Sequence, residues 1–153
     1  MRLWDWALQA YARQPVAEAC LTLQDAHGQN VPWLLWAAWM AQEGRSADLK
    51  DAARMMRAWD VEVGAPLRGV RRALKPARPP VDDAAKEALR DAVKAVELKG
   101  ERVLMESLEA LSGPPGAPIA VLDGLVTAAA ASGDPPRRAA LEALASALEL
   151  TSG

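Results

Sequence analysis

The chain has 153 residues and a net charge of −2, with half of its residues hydrophobic and a quarter charged. That composition excludes wholesale disorder, and a chain this long needs no disulfide or metal staple to bury a core. Cys20 is the only cysteine, and the longest uncharged apolar run, 31–41, contains a proline and falls short of the about 20 residues a membrane span requires, so we expect a reduced, cytoplasmic protein without a membrane span or secretory leader.

Punctuation along the chain is helical, and no stretch sustains the period-two alternation of a strand. A first helix is predicted over 3–13, with Leu3, Trp6, Ala7 and Ala10 on one stripe and Trp4, Leu8 and Tyr11 on the next. A second follows over 15–27. A third, over 31–43, is apolar almost all round, which marks a central helix or one that faces a partner. Helices over 47–63 and 66–75 come next, separated at Gly64 and Pro66, and then a stiff Lys75-Pro-Ala-Arg-Pro-Pro80 linker.

Beyond the linker, 83–112 reads as one long helix in which Leu89, Val93, Val96, Gly100, Val103 and Ser107 recur at four-three spacing. Gly100 marks a bend or a close helix crossing. After Gly113-Pro-Pro-Gly-Ala-Pro118, two short helices over 119–132 and 135–150 form a hairpin on the main body. Gly28, Gly44, Gly64, Gly113 and Gly133 are expected to end helices in the left-handed conformation, and Asn30, Ser46, Asp82 and Asp134 to cap the helices that follow. Pro15, Pro66 and Pro135 suit first helical positions. The expected fold is an all-α bundle of seven to eight helices, with a Trp-rich unit over 1–113 and a C-terminal hairpin over 114–153, together one globule.

Three groups of residues invite a functional reading. All six tryptophans lie in the first sixty residues. Trp33, Trp36, Trp39 and Met40 at helical spacing are first of all core, but an open face would form an aromatic groove for a partner. Trp4 and Trp6 stand about 200° apart on a helix, so one of them is a candidate for exposure.

Arg68, Arg71, Arg72 and Lys75 share one face of a helix and can meet carboxylates or phosphates. They are first of all structural, Lys75 and its neighbours complementing the helix dipole and some arginines pairing with Asp60, Glu62 or acids of the long helix. Dividing the chain after Pro80 gives halves of +3 and −5, so no broad positive field favours nucleic acid. The acids of the long helix, Glu97, Glu101, Glu106 and Glu109, read as a solvated face.

The third group is Gln24, Asp25, His27, Gln29 and Asn30, the densest polar cluster. It is first of all a turn and capping network, and otherwise a small-molecule or hydrolytic site beside Trp36. It offers too few ligands for zinc.

The strings Trp4-Asp5-Trp6-Ala7-Leu8, Cys20-Leu21-Thr22-Leu23-Gln24-Asp25, Val31-Pro-Trp-Leu-Leu-Trp36 and Pro66-Leu67-Arg68 resemble those of a bacterial family of uncharacterised proteins, across roughly 3–111 and without the terminal helical pair. Trp33 departs from the aliphatic residue of that pattern. The resemblance implies an all-helical cytosolic fold and supplies no chemistry. The reading from sequence is a non-enzymatic adaptor or regulatory module, monomer or homodimer and without a cofactor, that binds a protein partner through Arg68, Arg71, Arg72, Lys75, Trp4 and Trp33. Its rival is a ligand or hydrolytic site at Gln24, Asp25, His27, Asn30 and Trp36.

Overall fold

A computed structural model describes residues 1–150. The described residues form α1 (Leu3–Tyr11), α2 (Gln14–His27), α3 (Val31–Glu43), α4 (Leu49–Trp59), a π-helical turn (Asp60–Gly64), α5 (Ala65–Ala73), α6 (Asp83–Ala110), α7 (Val121–Ser132) and α8 (Arg138–Glu149), with no strand among them. The expected all-α bundle with a long helix is what forms.

Helix α3 is the centre because it has no polar face: every residue from Pro32 to Ala41 is buried. Helix α7 covers its longest side, α8 packs on α2, and α1 and the C-terminal part of α6 close the rest. The hairpin α7–α8 thus takes its place directly on the central helix.

Asn30 Oδ1 accepts from the Trp33 amide at 3.0 Å and starts α3, while Gly44 at φ +63° ends it. Just beyond α6, the segment around Gly113 to Ile119 runs back along that end of α3. The amides of Gly116 and Ile119 donate to the carbonyls of Glu43 and Ala41 at 3.0 and 2.9 Å, satisfying carbonyls that a helix end leaves free. A side chain on Gly44 would meet the Gly116 backbone at 2.3 Å, so the approach requires glycine there on steric grounds as well as conformational ones.

The largest departure from expectation lies at Gly64 and Pro66. Instead of ending a helix, Gly64 stays in right-handed helical geometry, and α4, the π turn and α5 form one continuous rod. The Ala65 amide reaches back five residues to the Asp60 carbonyl. Pro66, which has no N–H to give, follows directly, in the first turn of α5.

Smaller corrections follow the same logic of local competition. Asp48 replaces Ser46 as the cap of α4, and α8 begins at Arg138 rather than at Pro135. Gly113 does not adopt a positive φ, because the backbone ladder to α3 sets its conformation.

The rod and the N-terminal two-thirds of α6 form an antiparallel arm beyond the body. Between residues 60 and 103 only Lys86 is buried, so α6 reaches the core only at its C-terminal end, through Leu104, Met105 and Leu108, which lie beside the four-three stripe and not on it. At the arm's tip the Lys86 ammonium donates to the carbonyls of Lys75 and Pro76 at 3.2 and 2.9 Å and pairs with Glu87 and Asp83. The expected linker is therefore a pinned turn.

Candidate functional site

Trp33, Trp36 and Trp39 are sealed in the core, each at 1 % exposure or less. Their indole N–H groups donate to the Ala128 carbonyl, Ser112 Oγ and the Met1 carbonyl at 3.0, 2.8 and 3.1 Å. The expectation that Trp33 touches a partner is thereby corrected, as is that of Trp36 lining a pocket. Burial with every polar atom satisfied leaves them nothing to offer a ligand. Trp4 and Trp6 are both half-buried, and neither stands free. Trp6 donates to Gln42 Oε1 at 3.0 Å, while the Arg102 guanidinium lies over the Trp4 ring at 5.7 Å.

The basic face is neutralised inside the chain. Arg68 pairs with Asp60 at 2.9 Å and Arg71 with Glu97 at 2.8 Å, both partly shielded. Arg72 reaches Asp25 only at 3.9 Å, with both side chains mostly in water. Internal pairing, the first reading of this face, forms as two firm ion pairs and one loose one, and the second reading, of a guanidinium face free for a partner, is corrected for Arg68 and Arg71. The Lys75 side chain stands exposed at the arm's tip.

The polar cluster dissolves into separate roles. Gln29 is buried, and its amide nitrogen donates to the carbonyls of His27 and Asp134 at 3.1 and 2.7 Å, tying the α2–α3 turn to the α7–α8 turn. Asn30 is a cap. Asp25 is exposed, and His27, half-buried, lines none of the cavities described below. His27 therefore does not converge with Trp36. No group of three or more His, Cys, Asp or Glu residues among those described could hold a metal.

What the structure does assemble is a cleft between the body and the arm. Its polar end, a cavity of about 410 Å³, gathers Gln24, Asn30, Arg57, Asp60, Arg68 and Arg72. Members of the polar cluster and of the basic face, distant in sequence, meet there. Its middle, beside Trp59, Val63 and Leu67, adds Glu97 and Glu101. Its apolar end, about 130 Å³, runs between α1 and α6 and is lined by Trp4, Leu8, Tyr11, Leu35, Leu98 and Met105.

The sequence reading offers the acids of the long helix as partners for the arginines, and Glu97 is one. Glu101, which it places on a solvated face, escapes it, and the signal that could have found it is its four-residue spacing from Glu97. Glu101 as a residue is exposed, yet its carboxyl lies against the cleft wall. Desolvation, and then the Glu97 charge, raise its pKa above the usual carboxylate value against the pull of Arg68 and Arg71. The Tyr11 hydroxyl is likewise pushed up, first by burial and then by Cys20, Glu101 and Asp25. The apolar trough thus opens beside negative charge.

No helix among the described residues is long and apolar enough to cross a membrane. No curated protein and no solved structure matches the chain. Residues 2–108 match the family described as "Protein of unknown function (DUF2390)".

Proposed function

The chain belongs to the DUF2390 family, whose description carries no activity, and from the cleft we propose a non-enzymatic interaction module that docks a helical segment of a protein partner. The segment lies in the trough between α1 and α6, with an apolar side chain among Trp4, Leu8, Tyr11 and Leu98 and a lysine or arginine beside Glu101. The observation that carries this reading is the pairing of a half-open apolar trough with an acid that closes no ion pair, Arg68 and Arg71 acting on it only from a distance. Leu8 is 46 % exposed and Leu98 50 % exposed, and Glu101 forms no ion pair among the described residues.

Apolar surface left open beside an unpaired charge is the usual composition of a docking site for an amphipathic helix. A cation from the partner would relieve the repulsion between Glu97 and Glu101. Of the partner-binding residues expected from sequence, Trp4 keeps that role. Arg72, loosely held and at the polar end of the cleft, is the arginine free to exchange partners. We read the protein as bacterial and cytoplasmic, on the motif resemblance and on its lone, buried thiol.

The test places a photo-crosslinking residue at position 98 and maps what it captures in a bacterial lysate. The reading requires a captured segment with apolar residues at helical spacing and a flanking Lys or Arg, lost with Glu101→Lys and kept with Arg71→Lys. An acidic segment, or capture indifferent to Glu101→Lys, overturns it.

A further inference from the structure

The opposite flank of α6 carries a second surface. At 100° per residue, Leu98 and Met105 in the trough lie about 200° from Val96 and Val103. On that far side Leu89, Val93, Val96, Gly100, Val103 and Ser107 repeat at alternating four- and three-residue intervals with no charge among them. This is the spacing that meshes with another helix of the same kind. Within the chain it is covered on one side only: Val93, Gly100 and Ser107 are half-buried, with Gly100 at the edge of the cleft, whereas Leu89, Val96 and Val103 are 54, 50 and 47 % exposed. Gly100 has nothing within 4 Å of where a side chain would start, so its smallness serves no crossing inside this chain.

We propose that the C-terminal part of this seam, from Val96 to Ser107, pairs with the same stretch of a second copy, antiparallel, about a twofold axis near residues 101–102. In that register Gly100 of each copy faces Val103 of the other, the small residue letting the two helices approach closely. The charges beside the seam select the direction. Its outer flank carries Lys99 and Glu106, one heptad apart, and an antiparallel pair brings the outer flanks together, so Lys99 of each copy lies beside Glu106 of the other. A parallel pair would instead set Glu106 against the exposed Leu111, and Lys99 against the flank where Leu104 is already buried in its own chain, with no acid for the lysine and no cation for the glutamate. Lys99 has no ion-pair partner among the described residues, and Glu106 holds only the exposed, solvent-screened Arg102 at 2.9 Å. The interface leaves the α1–α6 trough free.

Sedimentation equilibrium over a concentration series of the full chain tests this. The wild type is expected to show a reversible monomer–dimer equilibrium, abolished by Val103→Glu, a surface change whose fold is checked by circular dichroism. Lys99→Glu or Glu106→Lys alone weakens the dimer about tenfold by turning two attractions into repulsions, and the two together restore it. Gly100→Leu, which the monomer accommodates in open space, also disrupts it. A wild type monomeric at every concentration overturns the proposal, whether or not a different protein binds the seam. A dimer indifferent to Val103→Glu overturns it as well, and a charge swap without rescue overturns the antiparallel register.

Discussion

Asp60 and Arg68, eight residues apart, are joined at 2.9 Å across a glycine: a side chain built at Gly64 would stand 2.8 Å from Asp60 Oδ1 and 3.4 Å from the Arg68 guanidinium. The wider turn of the π segment stacks residues 60, 64 and 68 on one face, and the missing side chain between them lets the ion pair close over the gap. Arg68 is thereby committed to the arm before it can serve the cleft.

This relationship separates two glycines in their tolerance. Gly64→Ala collides only with the movable end of Asp60. The helix propensity alanine gains, up to about 1 kcal/mol, offsets a partly shielded ion pair of similar size, so thermal stability should stay within about 0.5 kcal/mol of wild type. Gly44→Ala combines a positive φ with backbone contact at 2.3 Å and should cost about 2 kcal/mol or more. Parallel urea melts of the two variants check the contrast.

Cys20 is buried among apolar neighbours, and burial pushes its thiol up to about 12 from an ordinary 9.0. A raised pKa favours the protonated form in the fold. The stabilising contribution is therefore complete below pH 9.0 and is lost as the pH climbs toward about 12, at up to about 1.4 kcal/mol per unit. Cys20→Ala should flatten this alkaline loss. The native thiol should resist a disulfide reagent under mildly alkaline conditions and react on unfolding.

Glu101 is raised for a different reason, desolvation and the neighbouring Glu97. Its ionised form is disfavoured in the fold, so Glu101→Gln should stabilise the protein at neutral pH. The gain should shrink as acid protonates the wild-type carboxyl, and melting temperatures of the pair measured from neutral to acid pH read the difference. A gain that grew with acidity would contradict the direction of the shift.

Trp33 links α3 to α7 through its indole N–H and the Ala128 carbonyl, and its ring lies 5.1 Å from that of Trp36. Trp33→Phe removes the donor and part of the ring from a sealed site. A loss of about 2–4 kcal/mol is expected in equilibrium unfolding, from the unpaired carbonyl and the cavity together.

Truncation after residue 113 should expose the longest buried side of α3, including Trp33 and Ala37, and yield an aggregating chain, although the whole of the family match is kept. Co-expression with 114–153 as a separate polypeptide should restore solubility, and solubility of the shorter chain alone would contradict the packing role of the hairpin.

The helices were legible wherever local chemistry acts alone. Asn30, Asp82, Gly28 and Gly44 cap and stop as their side chains dictate. Legibility failed where two signals compete. Gly64 and Pro66 spell a break, yet the π turn accommodates both. The stripe of α6 spells a buried face, yet most of it stays in water, because periodicity reports that a face is apolar and not what covers it. Arg68 and Arg72 were visible as a cationic face and Gln24 and Asn30 as a polar cluster. Their meeting in one cleft depends on how the arm folds back over the body, which no local pattern encodes.

The π turn has one more consequence. The wide turn takes up one surplus residue, as a shim takes up a gap, so that Arg68 stays on the face of Asp60 although eight residues separate them. Wound as an ordinary α-helix, the same residues would set Arg68 about 80° away from Asp60. Arg71 and Arg72 would turn with it away from Glu97 and Asp25, and the cleft would lose its polar wall without the loss of one functional side chain.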